Sequence, residues 1–348
     1  NIIAGIEFNK DGTKLFTSSA NKSNPGQIMV FNLSTPYDIS SRTYAGDGER
    51  CVMTEVLKTP YDLEFNHDGT KLFVATRDAT NGADKDKLFR YDLTTPYDIS
   101  TCTFAQQTTN LDSSDNLNGS AAGNFSLVGD GYSGHRKIRL QGFEFNNDGT
   151  KLFLSWFGQN DYSAKLLEYT LSTPYDITSL QLVTTAGIEM GSGTNTNVGN
   201  SAGIRFGANG KRIFIISHSS GDQAVTQISL NVAYNTSAFT IDGTVSLIPF
   251  LRPTGKDEPR GIAFNSSGLK MYIGDDNDQE IYEFDLVCPF NIIEGKCPSI
   301  TENKDRTGMV SAQIEIAKRT IDHSTDSALN RLKWIRRNKD KQNLTNLN

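Results

Sequence analysis

Three glutamates, Glu7, Glu64 and Glu144, stand at the same point of a phrase that recurs along this chain, and Arg205 and Ala263 take that point in two further copies. Carboxylates brought round one axis can hold a divalent cation through oxygen atoms, which makes calcium the candidate cofactor and these glutamates its candidate ligands. The competing chemistry is neutralisation, in which the Arg205 guanidinium pairs with the glutamates and leaves no room for a cation. Two acidic runs also have calcium-friendly composition: Asp275-Asp276-Asn277-Asp278 with Glu280, and Asp78, Asn81, Asp84 and Asp86. Neither has the spacing of a helix-loop-helix calcium loop.

The elements that must position these side chains come from the repeat itself. The first copy reads Gly5-Ile6-Glu7-Phe8-Asn9-Lys10-Asp11-Gly12-Thr13-Lys14-Leu15-Phe16, and its Phe recurs at Phe65, Phe145, Phe206 and Phe264. A long, nearly fixed period marks a stack of like units. Within one unit a short β-rich run meets an Asp-Gly pair, whose positive φ suits a tight hairpin. A second apolar strand follows, then an alternating third strand such as Leu88 to Leu93. The third strand ends in Thr-Pro-Tyr-Asp-Ile at residues 35–39, 95–99 and 173–177, with weaker copies at Tyr234 and Phe290. Pro presets φ in such a turn and Asp can bond the backbone ahead of it. A fourth strand completes the unit. Four antiparallel strands per repeat is a propeller blade. The expected fold is all-β: a five-bladed β-propeller over residues 1–297, closing near Asn1 to Ile3 and Phe290 to Ile293 with a strand from the other terminus to cover the last sheet. Residues 298–348 are expected to form an amphipathic, basic α-helical tail, from the 4-3-4 spacing of Val310, Ile314, Ala317 and Ile321.

The Phe-Asn-x-Asp-Gly-Thr-Lys-Leu-Phe phrase followed by an Ile/Val-rich strand resembles the YVTN and lactonase-like branch of β-propellers, over residues 1 to about 293. The resemblance implies the fold, and it implies a metal-dependent lactone hydrolase as the alternative to a binding module or a structural spacer. The segment from Ser324 to Asn348 resembles the stretch ahead of the outer-membrane barrel in autotransporter-like marine bacterial surface proteins. That resemblance implies a passenger propeller with a membrane anchor further along, at the cell surface or in the periplasm of a Gram-negative bacterium, or outside it.

With strands named A to D from axis to rim, the A–B and C–D turns share one face and the B–C and D–A connections share the other. The first set is short and regular. The second is long and varied, so it is the expected binding face for a protein or glycan ligand. Its candidate residues are Asp78, Asp84, Tyr132, His135, Arg136, Trp156, Asn160, His218, Asp275, Asp276 and Asp278. His67 falls in an A–B turn, away from that face. No residue set matches a nucleophile–base pattern, and Gly191-Ser192-Gly193 lacks the Lys-Ser/Thr of a phosphate loop.

Composition bounds the rest. The 348 residues carry a formal charge of −6, which argues against a general nucleic-acid binder. No apolar run reaches the roughly 18–20 residues that span a bilayer as a helix. The chain opens on Asn1 without a signal-peptide core and is expected to be a processed product or a piece of a longer chain. Four cysteines allow two disulfides. Cys288, in the Thr slot of the last turn, is expected to pair with Cys297 across a short loop; the proximity of Cys51 and Cys102 cannot be read from sequence. No Cys or His spacing suggests zinc.

Overall fold

The computed structural model describes residues 2–20, 27–51, 53, 59–77, 87–108, 138–158, 164–183, 187–190, 201–218, 223–251, 258–276, 280–293, 319–323 and 332–336. They form five antiparallel sheets, each built from consecutive strands. Blade 1 is β1 (Ile2–Phe8), β2 (Lys14–Ala20), β3 (Gln27–Leu33) and β4 (Arg42–Tyr44). Blade 2 is β5 (Thr59–Phe65), β6 (Lys71–Arg77), β7 (Lys87–Leu93) and β8 (Cys102–Gln107). Blade 3 is β9 (Ile138–Phe145), β10 (Lys151–Gly158), β11 (Ala164–Leu171), β12 (Leu180–Leu182) and β13 (Ile188–Met190), the last two sharing the edge of β11. Blade 4 is β14 (Ser201–Gly207), β15 (Arg212–Ser217), β16 (Ala224–Val232) and β17 (Asn235–Ser246). Blade 5 is β18 (Pro259–Phe264), β19 (Lys270–Asp275), β20 (Glu280–Asp285), β21 (Arg319–His323) and β22 (Leu332–Arg336). The chain is a five-bladed β-propeller.

The core is divided among the seams between blades. Each seam has its own apolar cluster, and the cluster between blades 5 and 1 joins Ile3, Ile6 and Phe8 to Ala263, Tyr272 and Ile281. One belt of aromatic rings runs through all five seams. The A-strand Phe of each blade meets the B-strand ring of the blade before it: Phe16–Phe65 at 4.6 Å, Phe73–Phe145 at 4.5 Å, Phe153–Phe206 at 4.6 Å, Phe214–Phe264 at 4.6 Å and Tyr272–Phe8 at 4.7 Å between centroids. Such tilted pairs add about 0.5–1.5 kcal/mol each beyond the area they bury. That is why the shared Phe is the most regular letter of the repeat.

The two turns of each blade hold each other. Gly12, Gly69, Gly149, Gly210 and Gly268 have φ between 67° and 79°, and the ring of Tyr37, Tyr97, Tyr175, Tyr234 or Phe290 lies where a Cβ on that glycine would be. The same five aromatic residues are themselves left-handed, with φ of 49–60°. Each donates its N–H to the glycine carbonyl, from Tyr37 to Gly12 at 2.8 Å through Phe290 to Gly268 at 2.7 Å. The turn Asp behaves as the sequence implies: Asp38 Oδ1 accepts from Ser40 N–H at 2.9 Å, and Asn235 does the same for Ser237 in the weakest copy.

Two expectations are corrected. The ring closes by packing, not by a strand lent from the other terminus: β1 belongs wholly to the first sheet, and β18 to β22 follow in chain order. Phe290 to Ile293 turn toward blade 4, where Ile292 N–H donates to Gln227 Oε1 at 2.9 Å. The described parts of the tail are also strands and not helix. Arg319–His323 pairs with β20, through Thr320 opposite Tyr282, and Leu332–Arg336 pairs with it in turn. The turn after β20 leads away to blade 4 and leaves the edge of β20 unpaired, and β-forming residues such as Thr320, Ile321, Trp334 and Ile335 can complete that ladder. The helix start at Val310 and Ile314 lies outside the described residues.

The disulfide that the sequence could not place joins Cys51, in the connection between blades 1 and 2, to Cys102 at the start of β8, with Cα atoms 5.7 Å apart. Cys51 is fully buried in the seam between these blades. Cys288 is also disulfide-bonded; its expected partner, Cys297, lies outside the described residues.

Candidate functional site: a blind axial pocket on the turn face

The innermost strand of a blade has one edge facing the axis, and its N–H and C=O groups there have no sheet partner. The tier of Glu7, Glu64, Glu144 and Arg205 answers that need across the seams. Glu64 accepts from Phe145 N–H through both oxygens, at 3.1 and 3.0 Å. Glu144 Oε2 accepts from Phe206 N–H at 2.6 Å. Arg205 works in the opposite sense, donating to the carbonyls of Ile262 at 2.9 Å and Ile6 at 3.3 Å. Its Nη1 also stands 2.9 Å from Glu7 Oε2, close but off the line of a hydrogen bond. The pairing of Arg205 with a glutamate, read from sequence as the competing chemistry, is therefore present. Among the described residues no three His, Cys, Asp or Glu side chains are grouped to share a metal ion.

One tier further from the turns the five blades close on each other. The first letter of the phrase is Gly5, Asp62, Gly142, Gly203 and Gly261, and a Cβ on any of the four glycines would strike the next blade: on Gly5 it would lie 2.8 Å from Asp62 Cα, on Gly142 3.0 Å from Gly203 Cα, on Gly203 against the Arg260 carbonyl, and on Gly261 2.6 Å from the Ala4 carbonyl. Asp62 lays its carboxylate across this tier and accepts from Leu63 N–H at 2.9 Å and Phe143 N–H at 3.1 Å. Above it, a cavity of about 210 Å³ opens onto the A–B turn face, and no residue of this tier lines it. Glu7, Glu64 and Glu144 line it inside, and Lys10, His67, Asn147, Tyr97 and Tyr175 line it toward the turns.

Lys10, His67 and Asn147 occupy the one variable letter of Phe-Asn-x-Asp-Gly, so the repeat places them at successive points round the mouth. Lys10 Nζ stands 3.4 Å from His67 Nε2. Asn147 Oδ1 accepts from the Tyr234 hydroxyl at 2.9 Å, while the Tyr175 hydroxyl donates to the Asn147 carbonyl at 2.9 Å. The rim is therefore tied to the left-handed tyrosines of the neighbouring turns.

Burial governs the electrostatics. It pushes Glu7 up to about 7 against the pull of Arg205, with Asp62 adding to the rise. It pushes Asp62 up to about 6. Glu64 is raised well above the usual carboxylate range by burial and then by Glu144, and Glu144 is raised by burial against Arg205. Burial alone would lower Arg205, but Glu7, Glu144, Asp62 and Glu64 together raise it, so it stays charged. The site is thus acceptor-rich and short of compensating charge at its inner end.

Of the residues read onto the opposite face, Asp78, Asp84, Tyr132, His135, Arg136, Asn160 and Asp278 lie outside the described residues. Trp156 is placed on β10, its Cα opposite Lys165 and Leu140. His218 follows β15, half-buried, and Asp275 ends β19, fully buried. Asp276 is 6% exposed and takes Arg260 Nε at 2.5 Å; Arg260 also bonds Glu258 and lies over the Tyr61 ring, 5.0 Å from its centroid. The Thr-Pro-Tyr-Asp at residues 59–62, outside the turn register, thus supplies both the Arg260 platform and the axial carboxylate. Sequence reasoning passed over His67, Lys10 and Asn147 because their turns looked regular; the variable letter in an otherwise constant turn was the available signal.

No protein-family model and no curated protein matches the chain. The chain is similar to several solved structures at low identity. One is a periplasmic gluconolactonase of Pseudomonas aeruginosa, 16% identical with a TM-score of 0.47, covering 81% of this chain and 68% of that one. Another is a putative 6-phosphogluconolactonase of Bacteroides fragilis, 11% identical with a TM-score of 0.46, covering 96% and 84%. A putative 6-phosphogluconolactonase of Bacteroides uniformis is 12% identical with a TM-score of 0.45, covering 95% and 84%. At such identities activity does not transfer.

Proposed function

We propose that this chain is a non-catalytic, ligand-binding β-propeller of an oxidising compartment, with the axial pocket as its ligand seat. The observation that carries the reading is the pocket's build: closed at one end by the glycine and Asp62 tier, polar inside, and bordered by the variable third letter of the first three turn phrases. The Cys51–Cys102 bond supports oxidising surroundings, extracellular or periplasmic. The hydrolase reading asks for a nucleophile or metal-bound water with a base in reach. Here Glu64 and Glu144 bond backbone N–H groups of the next blade and Glu7 faces Arg205. The loops of the opposite face are the surface for a protein or glycan partner in the same scheme.

The test is a thermal-shift screen of small polar metabolites on the wild type and on Asn147→Trp, which narrows the mouth at an exposed position. A ligand should stabilise the wild type by mass action and leave the variant's melting temperature unmoved. Equal shifts in both proteins, or no shift with any compound, would overturn the pocket as a seat. Turnover of glucono-1,5-lactone above the buffer rate that disappears in Glu144→Gln would overturn the non-catalytic reading.

A further inference from the structure

We propose that the axial pocket is selective for a small zwitterion: an amino acid whose ammonium group rests on Glu64 and Glu144 and whose carboxylate meets Lys10 and the Asn147 amide at the rim. This rests on the pocket being the ligand seat and names the class of ligand. The inner end is built to receive a donor. Glu144 is 8% exposed, lines the cavity, and spends Oε2 on Phe206 N–H; no hydrogen bond from the described residues reaches its Oε1. That oxygen is open to the cavity, where an ammonium group can supply both a hydrogen bond and a charge. Arg205 acts on Glu144 through charge but makes no hydrogen bond to it: its Nε and Nη2 donate to Ile262 and Ile6, and its Nη1 stands beside Glu7.

The rim has the opposite polarity. Lys10 is exposed, and the hydrogen-bond neighbour of its Nζ among the described residues is the His67 ring, not a carboxylate. The adjacent Asp11 is turned back onto Thr13. The Tyr234 hydroxyl donates to Asn147 Oδ1, and no hydrogen bond among the described residues uses the Asn147 NH₂ group. With carboxyl groups at the floor and the Lys10 ammonium at the mouth, the pocket offers a simple amine no partner at Lys10 and a simple carboxylate none at the glutamates. A molecule carrying both charges meets both ends. The volume of about 210 Å³ suits a ligand well below drug size.

The experiment is calorimetric titration of the full chain with glycine, 4-aminobutyrate, 6-aminohexanoate and lysine, beside n-butylamine, butyrate, glucose and calcium chloride. At least one amino acid should bind about tenfold or more tighter than both butylamine and butyrate. Lys10→Ala should weaken that amino acid about tenfold and leave butylamine unchanged or tighter. Glu144→Gln should weaken it without weakening butyrate. Lys10 is exposed, so its variant tests the proposal even if Glu144→Gln does not fold. Failure of all four amino acids at about 10 mM, or equal binding of butylamine, overturns the proposal. If glucose or calcium binds in their place, and Asn147→Trp blocks it, the zwitterion is wrong while the seat stands. If nothing binds and the screen finds no ligand, both readings fall.

Discussion

Glu7 and Asp62 are carboxylates held where their charge is poorly solvated, at about 7 and about 6 against ordinary values of 4.5 and 3.8. A group whose pKa is higher folded than unfolded takes up protons on folding, so stability falls as pH rises from its unfolded to its folded value. Each should therefore cost on the order of 3 kcal/mol of stability, Glu7 progressively between about pH 4.5 and 7 and Asp62 between about pH 3.8 and 6. The turn aspartates oppose this at lower pH. Asp68, Asp148 and Asp176 are held below the usual range, first by a threonine hydroxyl, so their contribution is lost only as pH falls through those lowered values. The melting temperature should peak on the acid side of neutrality, and Glu7→Gln should flatten its decline toward pH 7.5. A melting temperature that rises from pH 5 to 7.5 in the wild type would contradict the assignment. Arg205 makes the second prediction at this scale. Arg205→Met leaves Glu7 without its cation and the Ile262 and Ile6 carbonyls without donors, at a cost of about 3–5 kcal/mol in urea unfolding.

The element that defines each blade is the pair of interlocked turns. A bulky residue at positive φ costs about 1–2 kcal/mol, yet five aromatic residues adopt it here. Ring packing on glycine and the N–H bond to the glycine carbonyl offset that cost. Gly69→Ala should then be expensive twice over, through its own φ of 73° and through the Tyr97 ring that fills the Cβ position. We expect a loss of about 2–4 kcal/mol, measured by denaturant unfolding. Gly48→Ala, with open space around its Cβ, is the control and should change little.

For the whole molecule the decisive joint is between blades 5 and 1, where the two ends of the ring meet. Each blade sends one donor to the left-handed carbonyl of the next: Lys14 to Tyr97 at 3.5 Å, Arg90 to Tyr175 at 3.3 Å, Lys151 to Tyr234 at 2.7 Å and Arg212 to Phe290 at 2.6 Å. At the joint the donor is the Tyr272 hydroxyl, 2.6 Å from the Tyr37 carbonyl. Tyr272→Phe keeps the ring in the aromatic belt and removes only this bond, so it should cost about 1 kcal/mol. The Cys51–Cys102 bond closes a long stretch of chain between blades 1 and 2. Replacing both residues by Ser should cost about 2–4 kcal/mol, seen as a lower melting temperature under non-reducing conditions.

The repeat phrase, read alone, was enough for the blade, its hairpin, its capped turn and the number of blades, because each depends on local φ/ψ preference and on apolar alternation. It also brought Glu7, Glu64, Glu144 and Arg205 to one tier, since register follows from the repeat. What it could not supply were contacts between units. The glutamates reach N–H groups in the next blade, the glycines and Asp62 close the axis, and Cys51 meets Cys102; each depends on how sheets pack round the ring. The tail's spacing of 4-3-4 reads as a helix until the open edge of β20 is known, because an unpaired ladder nearby can outweigh a local preference. The mouth of the pocket was missed for the same reason: Lys10, His67 and Asn147 are ordinary turn residues until five turns are set side by side.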